Sequence, residues 1–301
     1  MQKKVISIIG SNSFLAQNLA SVLQEDEVTI IGYARDNKNL HIDSYHYFDY
    51  PENNINVGQL IKSDVIIYTA GNGIQANKET ADIDIFRLNT FYPIELMSAL
   101  SNLGYDGQFF SFGSYAEIGI SEERSPQSES EIINSESLVH NKYSISKRLL
   151  TGYINNIQIS GYKYYHLMLP TIYGKGENPK RLIPYLIECF KNDTSAKLTN
   201  GDQIRQYLHV IDASKYIKAI INHPSAASGI YNMGSEEILS VKEIIAKVQK
   251  LCKNSLKVEY GMAKRTDTMM SYIANDDRKL TSLIKLDNII SIDQGVREYL
   301  R

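Results

Sequence analysis

Short apolar runs rich in β-branched residues alternate with helix-patterned segments through the first 170 residues, and this alternation limits the possible folds more than any other feature. A strand, a helix and a second strand in succession build a parallel sheet covered by helices on both faces. We therefore predict an α/β fold. The predicted strands are residues 5–9, 28–31, 65–68, 108–112 and 164–169, and the predicted helices are residues 14–23, 83–103 and 143–159.

The alternation loosens after Pro170, and this change predicts a second, smaller lobe. Its predicted elements are helices at residues 181–191 and 241–252 and short strands at residues 197–199 and 229–233. The predicted domain bounds are residues 1–169 for the first domain, with 204–226 returning to it, and residues 170–203 and 227–301 for the smaller lobe.

The charge balance argues against nucleic acid as the main partner. The 301 residues include 32 Lys plus Arg against 34 Asp plus Glu, for a formal net charge of −2. Such a chain lacks the positive field that attracts phosphate backbones or acidic membrane surfaces. Two cysteines build neither a disulfide scaffold nor a cysteine-rich zinc site, so we expect no metal.

Hydropathy predicts no membrane anchor. No run approaches the roughly 18 consecutive apolar residues that a spanning helix needs. The apolar run near the amino terminus ends at Gly10, before a signal-type segment is complete. We therefore expect a cytoplasmic protein.

Residues 10–16 follow the first predicted strand directly and open the first predicted helix, with small residues at three key positions. A dinucleotide-binding fold places its glycine-rich turn there, where phosphates approach backbone N–H groups at the helix amino terminus. Only one glycine, Gly10, is present, with Ser13 and Ala16 at the later small positions. The turn alone is equally compatible with an ordinary strand-to-helix connection.

The end of the second strand bears on the choice of dinucleotide. A carboxylate at this place would bind the adenosine ribose hydroxyls of NAD. The chain has Ala34 there, followed by Arg35, and a guanidinium suits the 2′-phosphate of NADP. Asp36 comes one residue later and is the alternative ribose ligand. We favour NADP over NAD.

Tyr143 and Lys147 are four residues apart on a predicted helix, so their side chains project from one face. An ammonium beside a phenol favours the phenolate and lowers its pKa from about 10. We expect such a phenol to act as a general acid or base near neutral pH. Among 21 tyrosines this spacing also arises by chance, as a pair on a helix surface.

A strand that runs into a Gly-Ser turn supports the catalytic interpretation. Residues 108–112 lead into Gly113 and Ser114, at the carboxyl edge of the predicted sheet, where ligands of open α/β sheets bind. Ser114 is our candidate for binding the substrate oxygen, and Ser111 is the second candidate. The sequence has neither a Gly-x-Ser-x-Gly elbow nor a His-x-x-x-His pair, which argues against a serine hydrolase or a zinc enzyme.

Taken together, these motifs resemble the extended short-chain dehydrogenases/reductases, the nucleotide-sugar epimerase/dehydratase/reductase family, over nearly the whole chain. The resemblance implies a Rossmann-type, doubly wound parallel sheet with a smaller C-terminal α/β substrate lobe. It also implies that Ser114, Tyr143 and Lys147 are the catalytic triad. The supporting segments are residues 69–71, 87–90, 169–176, 178–184, 201–212, 229–234 and 240–244.

The same resemblance implies the ligand-binding residues. Pro170 borders the nicotinamide, and Arg205 holds the nucleotide-sugar diphosphate or, in the alternative, is a surface charge. Tyr173 lines the sugar pocket or packs between the lobes. The implied cofactor residues are Gly10, Ser13, Phe14, Leu15, Arg35, Thr69, Ala70, Gly71, Asn89, Tyr143, Lys147, Pro170 and Ile172. The implied substrate residues are Ser114, Tyr115, Tyr173, Asn178 and Arg205, with Lys175 and Lys180 as possible additions.

The chain departs from the family pattern beside Ser114. The family's 4,6-dehydratases have an Asp-Glu pair directly after the catalytic Ser or Thr, whereas this chain has Tyr115 and Ala116. Elimination of water needs an additional acid and base, so we do not expect dehydration. Glu117 stands one position late and is interpreted as a solvated loop carboxylate. Met168 replaces a frequent Arg of the family.

Two reactions of the family remain, and we favour the reduction. NADPH would reduce a nucleotide-linked 4-keto-6-deoxy sugar, a step of deoxysugar and O-antigen polysaccharide biosynthesis. The alternative is an NAD-dependent 4-epimerase, and an alternative of another class is a non-catalytic dinucleotide-binding relative. The resemblance also implies a homodimer formed through the helices at residues 83–103 and 143–159.

Overall fold

The computed structural model describes residues 3–73, 81–139, 141–223, 225–252, 257–263 and 270–301. The strands are β1 (Lys4–Ile9), β2 (Val28–Ala34), β3 (Ser44–Tyr47), β4 (Val65–Tyr68), β5 (Gln108–Ser114), β6 (Lys163–Leu169), β7 (Thr171–Tyr173), β8 (Ala196–Lys197), β9 (Ile204–His209), β10 (Gly229–Asn232), β11 (Ile238–Ser240), β12 (Val258–Glu259) and β13 (Tyr272–Ile273).

The α-helices are α1 (Phe14–Leu23), α2 (Val57–Leu60), α3 (Asp82–Phe86), α4 (Tyr92–Asn102), α5 (Glu129–Ile133), α6 (Lys142–Asn156), α7 (Leu182–Lys191), α8 (Val210–Asn222), α9 (Val241–Cys252), α10 (Arg278–Leu283) and α11 (Ile292–Leu300). A π-helical segment, Arg87–Phe91, joins α3 to α4, and a 3₁₀ turn, Tyr115–Ile118, follows β5. The predicted helix at 83–103 is therefore three consecutive pieces.

The large sheet confirms the predicted α/β fold class. Its seven strands have the order β10-β6-β5-β4-β1-β2-β3, and every pair is parallel. The chain starts in the middle of the sheet and reverses direction after β3, which is the arrangement of a doubly wound fold. The five predicted strands are all present in this sheet. The edge strand β3 was not predicted, because its mostly exposed side chains lack an apolar pattern.

The two faces of the large sheet are covered by different helices, and each face has its own hydrophobic core. Residues of α1 and α8 pack on one face, and residues of α4 and α6 pack on the other. A third core lies in the smaller lobe, between α7, α9 and α11. The β-branched strands of the large sheet are buried on both sides, as parallel strands require.

The smaller lobe contains a mixed four-stranded sheet, in which β9 pairs with β7 and β13 in parallel and with β11 in antiparallel orientation. Two predicted domain bounds are wrong. The strand β10 pairs with β6 in the large sheet, although residues 227–301 were assigned to the smaller lobe. The strand β9 lies in the small sheet, and only α8 of residues 204–226 packs on the large one.

Buried side-chain amides connect the two sheets. The Asn275 Nδ2 group donates to the Met168 carbonyl of β6 at 2.8 Å and to the Met233 carbonyl at 2.8 Å. Its backbone N–H donates to Gln206 Oε1 of β9 at 3.0 Å. Asn232 Nδ2 of β10 donates to the Gln127 carbonyl at 2.9 Å. The junction of the lobes is therefore held by hydrogen bonds with fixed directions.

Candidate functional site

The carboxyl end of β5 meets the first turns of α6, and this contact brings the three predicted catalytic residues to one edge of the sheet. Lys147 Nζ donates to the Phe112 carbonyl at 2.8 Å and is buried. Tyr143 lies one helical turn earlier, with its ring centroid 5.9 Å from Lys147 Nζ. Ser114 is the last residue of β5, and its hydroxyl accepts the Ala116 N–H at 3.3 Å.

The other candidate serine faces away from this edge. Ser111 is buried, and its Oγ lies 2.8 Å from His166 Nδ1 on β6. The opposite nitrogen, His166 Nε2, lies 2.9 Å from the Thr151 hydroxyl of α6. Burial lowers the pKa of His166 to about 3, so the imidazole is neutral at pH 7. Ser111 is thus occupied within the protein, and Ser114 remains the candidate.

Glu117 is a correction to the sequence analysis, which interpreted it as a solvated loop carboxylate. The 3₁₀ turn after β5 folds the side chain inward, and Glu117 is 0% exposed. Its Oε1 accepts the Ser114 N–H at 2.7 Å, which completes a capping box with the Ser114 hydroxyl. The Ser-x-x-Glu spacing of Ser114 and Glu117 is the sequence signal that identifies such a box.

The pKa values at this edge follow mainly from burial. The pKa of Tyr143 is raised by burial and by the Glu117 carboxylate, while Arg181 lowers it. The net shift of the Tyr143 pKa is therefore upward, opposite to the predicted lowering, because burial outweighs the effect of nearby positive charge. Burial raises the pKa of Glu117 to about 7. Burial also lowers the pKa of Lys147 to about 8, against the opposing effect of the Glu117 charge.

Glu117 and His166 have opposite effects on stability between pH 7 and pH 5. Glu117 has a raised pKa, so its contribution is full below pH 4.5 and is lost as pH rises through about 7. His166 has a lowered pKa, so its contribution is full above pH 6.5 and is lost as pH falls toward about 3. The wild-type curve therefore sums two opposing slopes.

Replacing either residue with Gln should leave only the pH dependence of stability that the other residue causes. As the pH falls from 7 to 5, the free energy of unfolding should decrease in Glu117→Gln and increase in His166→Gln, each compared with the wild-type change over the same range. Each slope approaches about 1.4 kcal/mol per pH unit. Urea unfolding at several pH values measures both. Parallel curves for the three proteins would contradict the assigned pKa shifts.

The turn after β1 has the geometry that the predicted dinucleotide site requires. Gly10 has φ +81°, and a Cβ there would lie 2.5 Å from the Ala70 nitrogen. The Thr69 hydroxyl donates to the Ile9 carbonyl at 2.9 Å, so the turn after β4 packs against the turn after β1. Ser13 caps α1 by accepting the Ala16 N–H at 3.2 Å.

These residues fit the pyrophosphate of a dinucleotide. Backbone N–H groups at the amino terminus of a helix bind anions, and α1 begins with Phe14 and Leu15 directly after its cap. Gly71 is exposed beside the same turn. The predicted cofactor residues of β1, α1 and β4 therefore lie together at the carboxyl edge of the sheet.

The predicted cofactor residue Asn89 is held by hydrogen bonds within the protein. It lies in the π-helical segment, and such segments are frequent at functional sites. The side chain is fully buried; its amide donates to the Asn72 carbonyl at 2.9 Å and to Ser146 Oγ at 2.9 Å. Its Oδ1 accepts the Asn72 N–H at 2.8 Å. Asn89 thereby ties the turn after Gly71 to α6.

The two charged residues after β2, Arg35 and Asp36, differ in how strongly other side chains of the protein engage them. The Arg35 side chain is 70% exposed, and its Nε lies 3.8 Å from Asp49. The carboxylate of Asp36 accepts a hydrogen bond from Asn12 and pairs with Lys38. Asp36 is therefore held by the protein, whereas Arg35 is available to a ligand.

The predicted substrate residues lie at the junction of the lobes, with one exception. The buried Arg205 is on β9, and its Nη1 donates to the Ile204 carbonyl at 2.7 Å. Tyr115 bonds the Thr171 hydroxyl of β7 at 2.6 Å. Asn178 is half-buried and accepts the Lys180 N–H at 2.9 Å. Pro170 is buried beside β7, Ile172 is half-buried within β7, and Lys175 and Lys180 are exposed.

Tyr173 is the exception, because it belongs to the core of the smaller lobe. The residue is 1% exposed, and its hydroxyl donates to the Ile290 carbonyl at 3.3 Å. A Cβ at Gly295 of α11 would lie 2.6 Å from the Tyr173 ring, which shows how closely the helix packs on it. The prediction that Tyr173 lines the sugar pocket is wrong, and packing between elements is its role.

Arg181 was missed by the sequence analysis. Its guanidinium pairs with the buried Glu177 at 2.9 Å and is close enough to Tyr143 to lower the pKa of that phenol. Tyr299 of α11 accepts the Gly174 N–H at 2.7 Å and bonds Glu177, so the loop before α7 is held at both ends. Arg181 directly precedes α7, whereas the sequence analysis considered its neighbour Lys180.

A cavity of about 560 Å³ opens beside β9 in the smaller lobe. Ile204 of β9 lines it, whereas the side chain of the next residue, Arg205, projects from the opposite face of that strand. Most of its lining residues have polar side chains, and the lining residues are Arg124, Thr199, Asn200, Asp202, Gln203, Ile204, Gly261, Ala263, Ser271 and Tyr272.

A doubly wound parallel sheet, a Tyr/Lys pair at its carboxyl edge and a smaller mixed-sheet lobe together define the class of short-chain dehydrogenases/reductases that act on nucleotide sugars. The family described as "NAD dependent epimerase/dehydratase family" matches residues 6–234. The chain belongs to this family, and an NAD(P) dinucleotide is its cofactor by family.

Similarity to individual proteins is more distant. The chain is 27% identical over 139 residues to the CDP-abequose synthase of Salmonella muenchen, and the match covers 46% of this chain and 47% of that one. It is 24% identical over 143 residues to the CDP-abequose synthase of Salmonella typhimurium, covering 46% and 48%. The chain thus spans about half the length of the curated relatives that it matches.

Solved structures share the fold over nearly the full chain. UDP-glucose 4-epimerase of Thermotoga maritima has a TM-score of 0.83 at 14% identity, covering 98% of this chain and 97% of that one. MoeE5 in complex with UDP-glucuronic acid and NAD has a TM-score of 0.80 at 18% identity, covering 97% and 96%. No helix within the described residues is long and apolar enough to cross a membrane.

Proposed function

We propose that the protein uses NADPH to reduce the ketone of a nucleotide-linked 4-keto-6-deoxy sugar. The observation that carries the proposal is the placement of Ser114, Tyr143 and Lys147 at the carboxyl end of β5, without the acid pair that dehydration needs. Similarity to two CDP-abequose synthases, which by name make a nucleotide-linked sugar, supports a role in nucleotide-sugar modification.

The raised pKa of Tyr143 keeps its hydroxyl protonated at neutral pH. The protonated phenol is the form that a proton donor to a carbonyl oxygen requires. Ser114 would orient the carbonyl oxygen, and the Lys147 ammonium would stabilise the phenolate that Tyr143 leaves behind. When bound, reduced nicotinamide supplies the hydride that the carbonyl carbon accepts.

The nucleotide half of the substrate would lie on the smaller lobe. The Arg205 and Arg181 guanidinium groups both lie near enough to Tyr207 to lower its pKa, and guanidinium forks suit phosphate oxygens. The polar cavity beside Ile204 has room for a nucleoside, since ligand pockets typically measure roughly 300–1,000 Å³. Asn178 and Tyr115 lie between this lobe and the predicted catalytic triad.

The test is a spectrophotometric assay with NADPH and a panel of CDP-, dTDP-, GDP- and UDP-linked 4-keto-6-deoxy sugars. Stoichiometric loss of the reduced-nicotinamide absorbance with one sugar is the expected result, and it identifies the nucleotide. Tightly bound NAD released on denaturation, with no NADPH consumption, would support the 4-epimerase alternative. Neither bound nucleotide nor consumption would support the non-catalytic alternative.

The preference for NADPH is tested at Arg35. Arg35→Ala is expected to weaken NADPH binding by about tenfold or more, since a charged hydrogen bond contributes roughly 1.5–3 kcal/mol, and to leave NADH binding nearly unchanged. Fluorescence titration of both dinucleotides measures this. Lys62→Ala is the control, because Lys62 is exposed and precedes β4 at the opposite edge of the sheet. Equal weakening of both dinucleotides would contradict NADP selectivity.

We also propose a homodimer, formed through α3, the π-helical segment and α6. Large apolar side chains are exposed on these helices: Ile83, Phe91, Ile145 and Leu149, each between 37% and 51%. Such contiguous apolar surface is typical of an interface.

Leu149→Glu is expected to convert the dimer to a monomer, because it places a charge in the apolar interface. Light scattering after size-exclusion chromatography reads the mass. Leu40→Glu is the control, since Leu40 is 91% exposed and lies away from these helices, after β2. A wild-type protein that is already monomeric at micromolar concentration would refute the proposed dimer.

A further inference from the structure

Two oppositely charged side chains hold the backbone at the end of β5. Lys147 Nζ donates to the Phe112 carbonyl at 2.8 Å, and Glu117 Oε1 accepts the Ser114 N–H at 2.7 Å. Gly113 alone separates these two backbone groups along the chain. The ammonium and the carboxylate therefore hold the same short segment, and Ser114 ends it.

The space around the Glu117 carboxylate is closed. A Cβ on Gly113 would lie 2.8 Å from Glu117 Oε1, 2.7 Å from His166 Nε2 and 2.4 Å from Met168 Sδ. The second oxygen, Glu117 Oε2, is buried, and the Thr151 side chain is the hydrogen-bonding group beside the carboxylate, where it lowers the Glu117 pKa against the effect of burial. An ionised carboxylate in such a place needs a counter-charge, because burial without one is costly.

The charged and titratable groups that face Glu117 come from α6 and β6. They are Tyr143, Lys147 and Arg148 of α6 and His166 of β6. Neutral His166 supplies no charge at pH 7. The Arg148 guanidinium is already engaged, since it donates to the backbone carbonyls of Glu117 and Ser137. Lys147 and Arg148 are therefore the two cations whose charges stabilise the Glu117 carboxylate, and Lys147 is the one that belongs to the proposed triad.

We propose that Glu117 is a positioning residue of the reduction site, which fixes Ser114 through its backbone and keeps the Lys147 side chain charged. This inference rests on the proposed function, because it assigns Glu117 to the same triad. Burial lowers the pKa of Lys147, and the Glu117 charge opposes this lowering. Glu117 thus acts through Ser114 and Lys147 and does not itself touch the substrate.

The test is the titration of Lys147 in Glu117→Gln, which keeps the oxygen that accepts the Ser114 N–H and removes the charge. Protein labelled with ¹³C at the lysine ε-carbon reports each lysine by NMR, and Lys147→Arg assigns the resonance. The wild-type midpoint is expected near pH 8. In Glu117→Gln it should fall by about one pH unit. The pH optimum of kcat should fall with it.

Two comparisons keep the inference falsifiable. Glu177→Gln removes another buried carboxylate, which pairs with Arg181, and should leave the Lys147 midpoint unchanged. Should Glu117→Gln fail to fold, the wild-type Lys147 resonance alone must show a second inflection near pH 7, where Glu117 takes up its proton. An unchanged midpoint in Glu117→Gln, or a wild-type curve with one inflection, overturns the inference.

The NMR titration needs no substrate, so it separates this inference from the proposed function. A shifted Lys147 midpoint in a protein that reduces none of the keto sugars would retain the coupling of Glu117 to Lys147 and refute the reductase. A protein that reduces a keto sugar but whose Lys147 midpoint does not shift in Glu117→Gln would support the reductase and refute the coupling of Glu117 to Lys147.

Discussion

Tyr143→Phe is expected to lower the rate of NADPH oxidation with the keto sugar by about 10²–10⁴-fold, the usual contribution of a positioned general acid. The substitution removes the hydroxyl and keeps the ring, whose centroid lies 5.9 Å from Lys147 Nζ. NADPH binding should therefore stay within a few fold of wild type. Stopped-flow absorbance under single-turnover conditions measures the chemical step, and fluorescence titration measures binding.

Tyr153→Phe is the matched control for Tyr143→Phe. Tyr153 lies on the same helix, α6, but packs against the core that α4 and α6 form with the large sheet. The Tyr153→Phe variant should reduce the sugar at the wild-type rate. Turnover by Tyr143→Phe at the wild-type rate would show that another group donates the proton and that the triad is assigned incorrectly.

Gly113→Ala is expected to damage both stability and activity. The added methyl group would lie 2.4 Å from Met168 Sδ and 2.7 Å from His166 Nε2, inside a closed layer between β5 and β6. Overpacking of a buried site costs about 1–3 kcal/mol, and here both neighbours are themselves buried and held by hydrogen bonds or strand pairing. We expect the free energy of unfolding to decrease by about 3 kcal/mol, near the upper end of this range. Ser114 should be displaced and turnover lost.

Gly152→Ala is the control for this substitution, because a Cβ there meets no atom within 4 Å. Gly152 lies within α6, where alanine is favoured over glycine by about 1 kcal/mol, so this variant should be slightly more stable than wild type. Thermal unfolding with a parallel activity assay compares the pair. A Gly113→Ala protein as stable as wild type would show that the β5–β6 layer can relax.

Patterns in the local sequence predicted most of the features that depend on residues close together in the chain. The strand runs of the large sheet are buried on both faces, which makes them recognisable as continuous apolar segments. The spacing of Tyr143 and Lys147 on one helix fixes their relative position before any fold is known. The glycine turn was likewise placed correctly, since Gly10 needs a positive φ and a close approach to Ala70.

Features that depend on contacts distant in sequence were not predicted. β10 follows a helix of the first domain and precedes the smaller lobe, and its few residues do not specify which sheet they join. Tyr173 packs against α11, more than a hundred residues later, so its burial has no local signal. Asn89 depends on a π-helical segment that no hydrophobic period shows. Glu117 is different, because its capping-box spacing was visible and was not weighed.

The amide groups at the junction of the lobes have a consequence for how the protein binds its ligands. The Asn275 side chain donates to the Met168 carbonyl in the large sheet, and Gln206 of the small sheet accepts the Asn275 backbone N–H. Both residues are about 1% exposed. Rotating one lobe against the other would break several buried hydrogen bonds at once, which is costly. The cleft is therefore preformed, and its shape is fixed before any ligand enters. Rigid ligands that match this shape should bind without an energetic penalty for domain closure.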